Sequence, residues 1–185
     1  MLDDHGFEIY EENSFPIAYL ITFRTFGTWL HGDERGSYGR RMNRFGSKYV
    51  APNVPLNDAL RSDLKQEAIT LNQNQRRLVQ EAIEEVGAFR GYNILAINVR
   101  TNHAHAVVSK ATKPEKIVND FKAYATRRLR AERCFADISK VWARGASTRY
   151  LWKPRHVAAA VDYVLYSQDD VPFETVTEVL LDEFD

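Results

Sequence analysis

Apolar positions along the chain fall into short β-type runs separated by stretches of helical period. Ile17 to Arg24 (IAYLITFR) is β-branched and aromatic enough to predict a buried first strand. From Thr25 to Asn53 the pattern lapses into Gly- and Arg-rich sequence, including Gly32-Asp33-Glu34-Arg35-Gly36 and Arg40-Arg41-Met42-Asn43-Arg44, which predicts a long surface loop. Between Asp58 and Phe89 the positions Leu60, Leu64, Ile69 and Leu71, then Leu78, Ala82, Ile83 and Val86, recur at three to four residues. This predicts two helices broken around Asn72-Gln73-Asn74, the second stopped by Gly91. Tyr92–Arg100 and His103–Ser109 predict a β-hairpin turning at Thr101-Asn102. Ile117, Val118, Phe121, Tyr124, Ala125 and Leu129 mark an amphipathic helix from Pro114 to Arg133. Thr148–Trp152 predicts a short strand, and Pro154 stands where a last helix, Val157–Gln168, can begin. Strand, helices, strand, strand, helix, strand, helix is the order of an α+β domain. The expected architecture is a ferredoxin-like antiparallel sheet with helices packed on one face, in a single domain over residues 1–185.

Charge changes this picture once the ends are separated from the middle. The formal net charge is zero. Residues 1–15 carry five carboxylates and residues 169–185 carry seven, with no Lys or Arg in either stretch. All 25 basic residues therefore lie in 16–168 against the remaining 13 carboxylates, a formal excess of +12 flanked by two acidic tails. A middle this basic fits a polyanionic partner, because each Lys or Arg at a phosphate releases condensed counterions. The single cysteine, Cys134, excludes an internal disulfide and a paired-cysteine zinc site, and is expected to be inert. No apolar run approaches the roughly 18 residues of a spanning helix, and the N-terminus lacks a basic, then apolar, export pattern. The expectation is a cytoplasmic protein with no membrane association.

The chemistry-bearing residues lie in two places. In Asn102-His103-Ala104-His105-Ala106 the histidines stand at i and i+2 of a strand, so both imidazoles leave the same face while Ala104 faces the other layer. Two such nitrogens suit one divalent metal, and two sheet histidines with no ligand are the plainer alternative. The last helix carries Tyr163 and Tyr166, followed by Ser167 and Gln168. A tyrosine hydroxyl can attack a metal-polarised phosphate and form a covalent phosphotyrosine; on spacing alone, aromatic packing on an amphipathic helix is the plainer reading.

These segments resemble the REP-associated tyrosine transposases and their single-tyrosine HUH relatives, encoded by insertion sequences that move as single-stranded DNA. The resemblance runs through residues 18–30 (AYLITFRTFGTWL), Gly32–Gly36, Asn98–His105 (NVRTNHAH), Lys122–Arg127, Trp142–Gly145, Ser147–Trp152, and Tyr163-Val164-Leu165 with Gln168. It implies an HUH-type ferredoxin-like domain in which His103 and His105 bind Mg²⁺ or Mn²⁺. Tyr163, or Tyr166 in its place, would be the nucleophile. It would nick single-stranded DNA beside a hairpin, leaving a 5′-phosphotyrosine and a free 3′-hydroxyl for rejoining. Family members often draw a third metal ligand from the tyrosine helix, here Gln168 or, at the better spacing from Tyr163, Ser167. Relatives usually act as dimers, so a homodimer is expected.

DNA recognition is expected from Arg35, Arg40, Arg41 and Arg44 with Tyr38 and Phe45 in the long loop, and from Arg127, Arg128 and Arg130 on the third helix. Solubilising surface charge is the alternative for each arginine, and core packing is expected of Trp29, Trp142 and Trp152. Two other functions compete: a nucleic-acid-binding module of the same fold whose chemistry has lapsed, and a metal-dependent phosphodiesterase using the histidines and water.

Overall fold

Among the residues described by the structure, a computed structural model covering 15–34, 51–135 and 137–167, the chain forms four strands and four helices. They follow as β1 (Ala18–Arg24), α1 (Val54–Ser62), α2 (Gln73–Arg90), β2 (Asn93–Val99), β3 (His103–Ser109), α3 (Pro114–Ala131), β4 (Ser147–Leu151) and α4 (Pro154–Tyr166). The sheet order is β2-β3-β1-β4 with every neighbouring pair antiparallel. β1 and β2 therefore run the same way on either side of β3, joined by the crossover helix α2; this is the expected ferredoxin-like α+β layout.

Strand alternation sorts the side chains into two layers. Tyr19, Ile21 and Phe23 of β1 and Ala104, Ala106 and Val108 of β3 face the main core, where α2 contributes Val79, Ile83 and Val86 and α3 contributes Ile117, Phe121 and Leu129. These two helices take one face, as the sequence predicts. α4 takes the other. Ala18, Leu95, Ala96, Val107 and Leu151 form a second, smaller core against Val157, Ala160 and Val164 of α4. One end of the sheet is thus apolar on both faces, and each face needs a cover; full burial of a Val or Leu side chain contributes about 1.5–3 kcal/mol.

Local signals explain the boundaries. Asn72 caps α2 by accepting from the Gln75 amide at 2.9 Å, while Gln75 returns a side-chain oxygen to the Asn72 amide at 2.9 Å. Gly91 ends α2 at φ 65°, in the left-handed region where glycine has no Cβ penalty. Pro114 and Pro154 open α3 and α4 in the first turn, where a missing N–H costs nothing.

The first of the two predicted helices before Gly91 differs from expectation. α1 starts earlier, at Val54, and stops at Ser62, so Leu64, Ile69 and Leu71 are not helical. Their segment instead bonds to the ends of the sheet: the Ile69 amide donates to the Phe26 carbonyl at 2.9 Å and the Leu71 amide to that of Thr101 at 2.7 Å. Ile69 and Leu71 are buried in the main core, so the three-to-four spacing reflects burial without helix. Trp142 packs in that core edge-on to Phe23, whereas Trp152, expected inside, is exposed and stacked on Tyr150 at the sheet edge. Among the described residues no helix is long and apolar enough to cross a membrane.

Candidate active site

Past the end of α4's apolar stripe, the same face of the sheet turns polar. Register places Asn98 of β2, His105 of β3, Thr22 of β1 and Ser147 of β4 in one row across all four strands. One row further, His103 stands opposite Arg24 of β1, and on its other side the Arg100 amide donates to the His103 carbonyl at 2.7 Å as the hairpin closes. The strand alternation that sends Ala104 into the main core therefore sends both imidazoles to the α4 side.

The two rings lie edge-on with centroids 4.6 Å apart. Each has its Nδ1 engaged: His103 with Asn102 Oδ1 at 2.6 Å, and His105 with Thr22 Oγ1 at 2.8 Å. In the tautomer where Nδ1–H donates to these oxygens, Nε2 of both rings keeps a lone pair for a metal. His105 is only 6 % exposed. Burial, reinforced by the charges of Arg100 and Arg24, lowers its pKa to about 4, so it is neutral and ligand-competent at pH 7.

α4 brings a tyrosine to this pair. At about 100° per residue, Tyr163 lies on the rim of the stripe formed by Val157, Ala160 and Val164, while Tyr166 points nearly opposite. The Tyr163 ring meets His105 edge-on at 5.6 Å between centroids and is 42 % exposed; Tyr166 is 78 % exposed. Asn98 pins the helix here. Its Nδ2 donates to the Val164 carbonyl at 3.0 Å, one of the last-turn carbonyls that have no partner within a helix, and its buried Oδ1 has no hydrogen-bond partner.

Other predicted site residues stand elsewhere. Ser167 is the exposed C-cap of α4, its amide bonded to the Tyr163 carbonyl at 3.3 Å. Gln168, Arg35, Arg40, Arg41 and Arg44, with Tyr38 and Phe45, lie outside the described residues. Arg127, Arg128 and Arg130 sit on α3, across the sheet from the histidines: Arg127 lies over the Tyr124 ring, Arg128 pairs with Glu81 and Glu85 of α2, and Arg130 reaches the Ile138 and Ser139 carbonyls. The structure does not bring these three to the histidine–tyrosine group. It brings instead Arg24, whose guanidinium lies 3.4 Å from the Trp29 ring centroid, and Arg100, neither of them singled out from the sequence. The signal was present in the alternation: Arg100 faces His103 across a two-residue turn.

Among the described residues no three of His, Cys, Asp or Glu come together as a metal cluster. Among the described residues the histidine pair offers two imidazole nitrogens, a donor set that fits an open divalent site completed by water, an amide or hydroxyl oxygen, or a phosphate oxygen.

The profile of a family described as "Transposase IS200 like" matches residues 63–171, more than half of the chain. No curated protein matches. A solved structure of a REP-associated tyrosine transposase bound to a REP hairpin is 13% identical and aligns with a TM-score of 0.49 over 86% of this chain and 71% of that one. A chain from Deinococcus radiodurans R1, provisionally named a transposase, is 8% identical, with a TM-score of 0.41 over 83% of this chain and 92% of its own.

Proposed function

Since this chain belongs to the IS200-like transposase family, we propose that it nicks and rejoins hairpin-flanked single-stranded DNA, with Tyr163 as nucleophile and His103 and His105 as ligands of Mg²⁺ or Mn²⁺. The observation that carries the reading is the meeting of the Tyr163 ring with His105 on the polar end of the sheet, 5.6 Å between centroids. In the forward step the Tyr163 hydroxyl oxygen bonds to phosphorus and gives up its proton to solvent or a nearby base. The P–O3′ bond breaks, and the departing 3′-oxygen takes up a proton. The products are a 5′-phosphotyrosine and a free 3′-hydroxyl. Attack by a 3′-hydroxyl on the phosphotyrosine reverses the exchange, so joining consumes no nucleotide.

When bound, the cation supplies Lewis acidity, withdrawing charge from a non-bridging phosphate oxygen. Thr22 and Asn102 orient the two rings, and Asn98 holds the helix end that carries Tyr163. Gln168, or Ser167, is the proposed third protein ligand. Two imidazoles with no clustered carboxylate among the described residues suit Mn²⁺ better than Mg²⁺, which prefers an all-oxygen octahedron, so adduct formation should be faster with Mn²⁺. The proposed partner is a single strand with a hairpin. Arg35, Arg40, Arg41, Arg44, Arg127, Arg128 and Arg130 are the proposed DNA contacts. A homodimer is proposed from the family alone, and a monomeric mass in light scattering with DNA present would overturn it; Tyr163 and His105 meet within one chain.

The test is incubation of the protein with labelled single-stranded hairpin oligonucleotides and Mn²⁺, followed by a denaturing gel. A covalent adduct present in wild type and absent in Tyr163→Phe and His103→Ala is the expected result. Loss in Tyr166→Phe with Tyr163→Phe unaffected would move the nucleophile one turn. Hairpin binding with no adduct in wild type would indicate a module that only binds, and cleavage without a covalent species would indicate water as nucleophile.

A further inference from the structure

Arg100 presents an electrostatic problem that the histidines and tyrosine do not solve. Its Nη1 is buried and has no hydrogen-bond partner, although a guanidinium nitrogen withdrawn from water needs an acceptor. Its backbone is fixed opposite His103 by the hairpin bond, and His103 is in turn opposite Arg24, so two cationic side chains flank one imidazole in the same row. Arg24 is held against the face of Trp29. A divalent cation added to two guanidiniums would concentrate positive charge further. An anion at Arg100 supplies the acceptor that its Nη1 lacks, and a phosphodiester offers two non-bridging oxygens for that purpose.

We propose that Arg100, with Arg24 across His103 from it, forms the cradle that receives the scissile phosphodiester and neutralises the charge developing on it when Tyr163 attacks. This rests on the transposase reading for its chemical consequence, but the anion site itself follows from the unpartnered guanidinium nitrogen and the register. A phosphate seated between the two arginines would lie on the same polar end of the sheet as His103, His105 and Tyr163.

The experiment is single-turnover adduct formation with hairpin-flanked oligonucleotide and Mn²⁺, measured over a range of DNA concentrations for wild type, Arg100→Gln, Arg100→Lys and Arg24→Gln. Arg100→Gln should lower the maximal rate by about 100-fold while shifting the half-saturating concentration less than about threefold, the pattern of a contact that strengthens in the transition state. Arg100→Lys should recover part of the rate, and Arg24→Gln should lower it less than Arg100→Gln. An unchanged rate in Arg100→Gln overturns the proposal. So does equal loss in Arg100→Gln and Arg100→Lys accompanied by a lowered Tm, which would make the residue structural. A second arm separates this from failure of the transposase reading: dimethyl phosphate is titrated at constant pH and ionic strength while the His103 and His105 ring signals are followed by NMR. Saturable shifts in wild type that vanish in Arg100→Gln establish the anion site even if wild type forms no adduct. No shift in wild type overturns it.

Discussion

His105 couples the electrostatics of the site to the stability of the fold. In the unfolded chain its ring titrates near 6.5, whereas in the folded protein burial and the neighbouring arginines hold it down to about 4. Between these values the unfolded state binds more protons, so stability rises with pH there; it is complete above about 6.5 and lost as pH falls toward 4. For metal-free protein, urea titrations should therefore show a decline over this window of up to about 3 kcal/mol attributable to His105, and His105→Asn should flatten it. A profile equally steep in the variant would assign the acid sensitivity to other groups. Tyr163 and Tyr166 show the converse at the same scale. One turn of helix separates them, yet one is at the histidines and the other at the solvent, because α4 docks by Val157, Ala160 and Val164 and that stripe sets which rim faces the polar end of the sheet.

At the scale of elements, α4 is held by a small core and by one polar tie. Asn98→Ala would remove the donor to the Val164 carbonyl at the helix end and should cost about 1–3 kcal/mol in chemical denaturation. Because the tie fixes the turn that carries Tyr163, the adduct rate should fall further than hairpin affinity does; equal loss of both would mean that Asn98 serves the fold without aligning the nucleophile. Removing the cap of α2 is the contrasting case. Asn72→Ala should cost about 1 kcal/mol and leave the adduct rate of the folded protein unchanged, since α2 covers the opposite face of the sheet. A slowed rate in Asn72→Ala would show that the two faces are coupled through the sheet.

Over the whole molecule, charge and architecture divide the work. The basic middle, with its formal +12 between acidic tails, would supply attraction to the proposed strand without sequence preference. Hairpin binding should weaken steeply with salt, with a log–log slope of about −0.7 for each single-strand phosphate contacted; a slope near zero in filter binding would argue against phosphate contacts as the source of affinity. The arginines of α3 show why net charge does not locate the catalytic group. Arg128 pairs with Glu81 and Glu85 and Arg130 with loop carbonyls, and both lie across the sheet from the site. Arg24 at the end of β1 and Arg100 just past the end of β2, each following a buried residue, stand beside it.

What the sequence determined by itself is what period and spacing carry locally. The strand, hairpin and helix order, the break at Asn72, the stop at Gly91, and the common face of His103 and His105 all follow from alternation, caps and turns within a few residues. The motif order also pointed to the family. Only the tertiary structure decided which face α4 covers, that Leu64 to Leu71 runs along the sheet ends without forming helix, that Tyr163 meets His105 while Tyr166 faces solvent, and that Arg100 and Arg24 flank His103. Those outcomes depend on register between strands distant in sequence and on the docking of one apolar stripe. Local pattern shows that a residue is to be buried or aligned, and only the fold supplies the neighbour against which this happens.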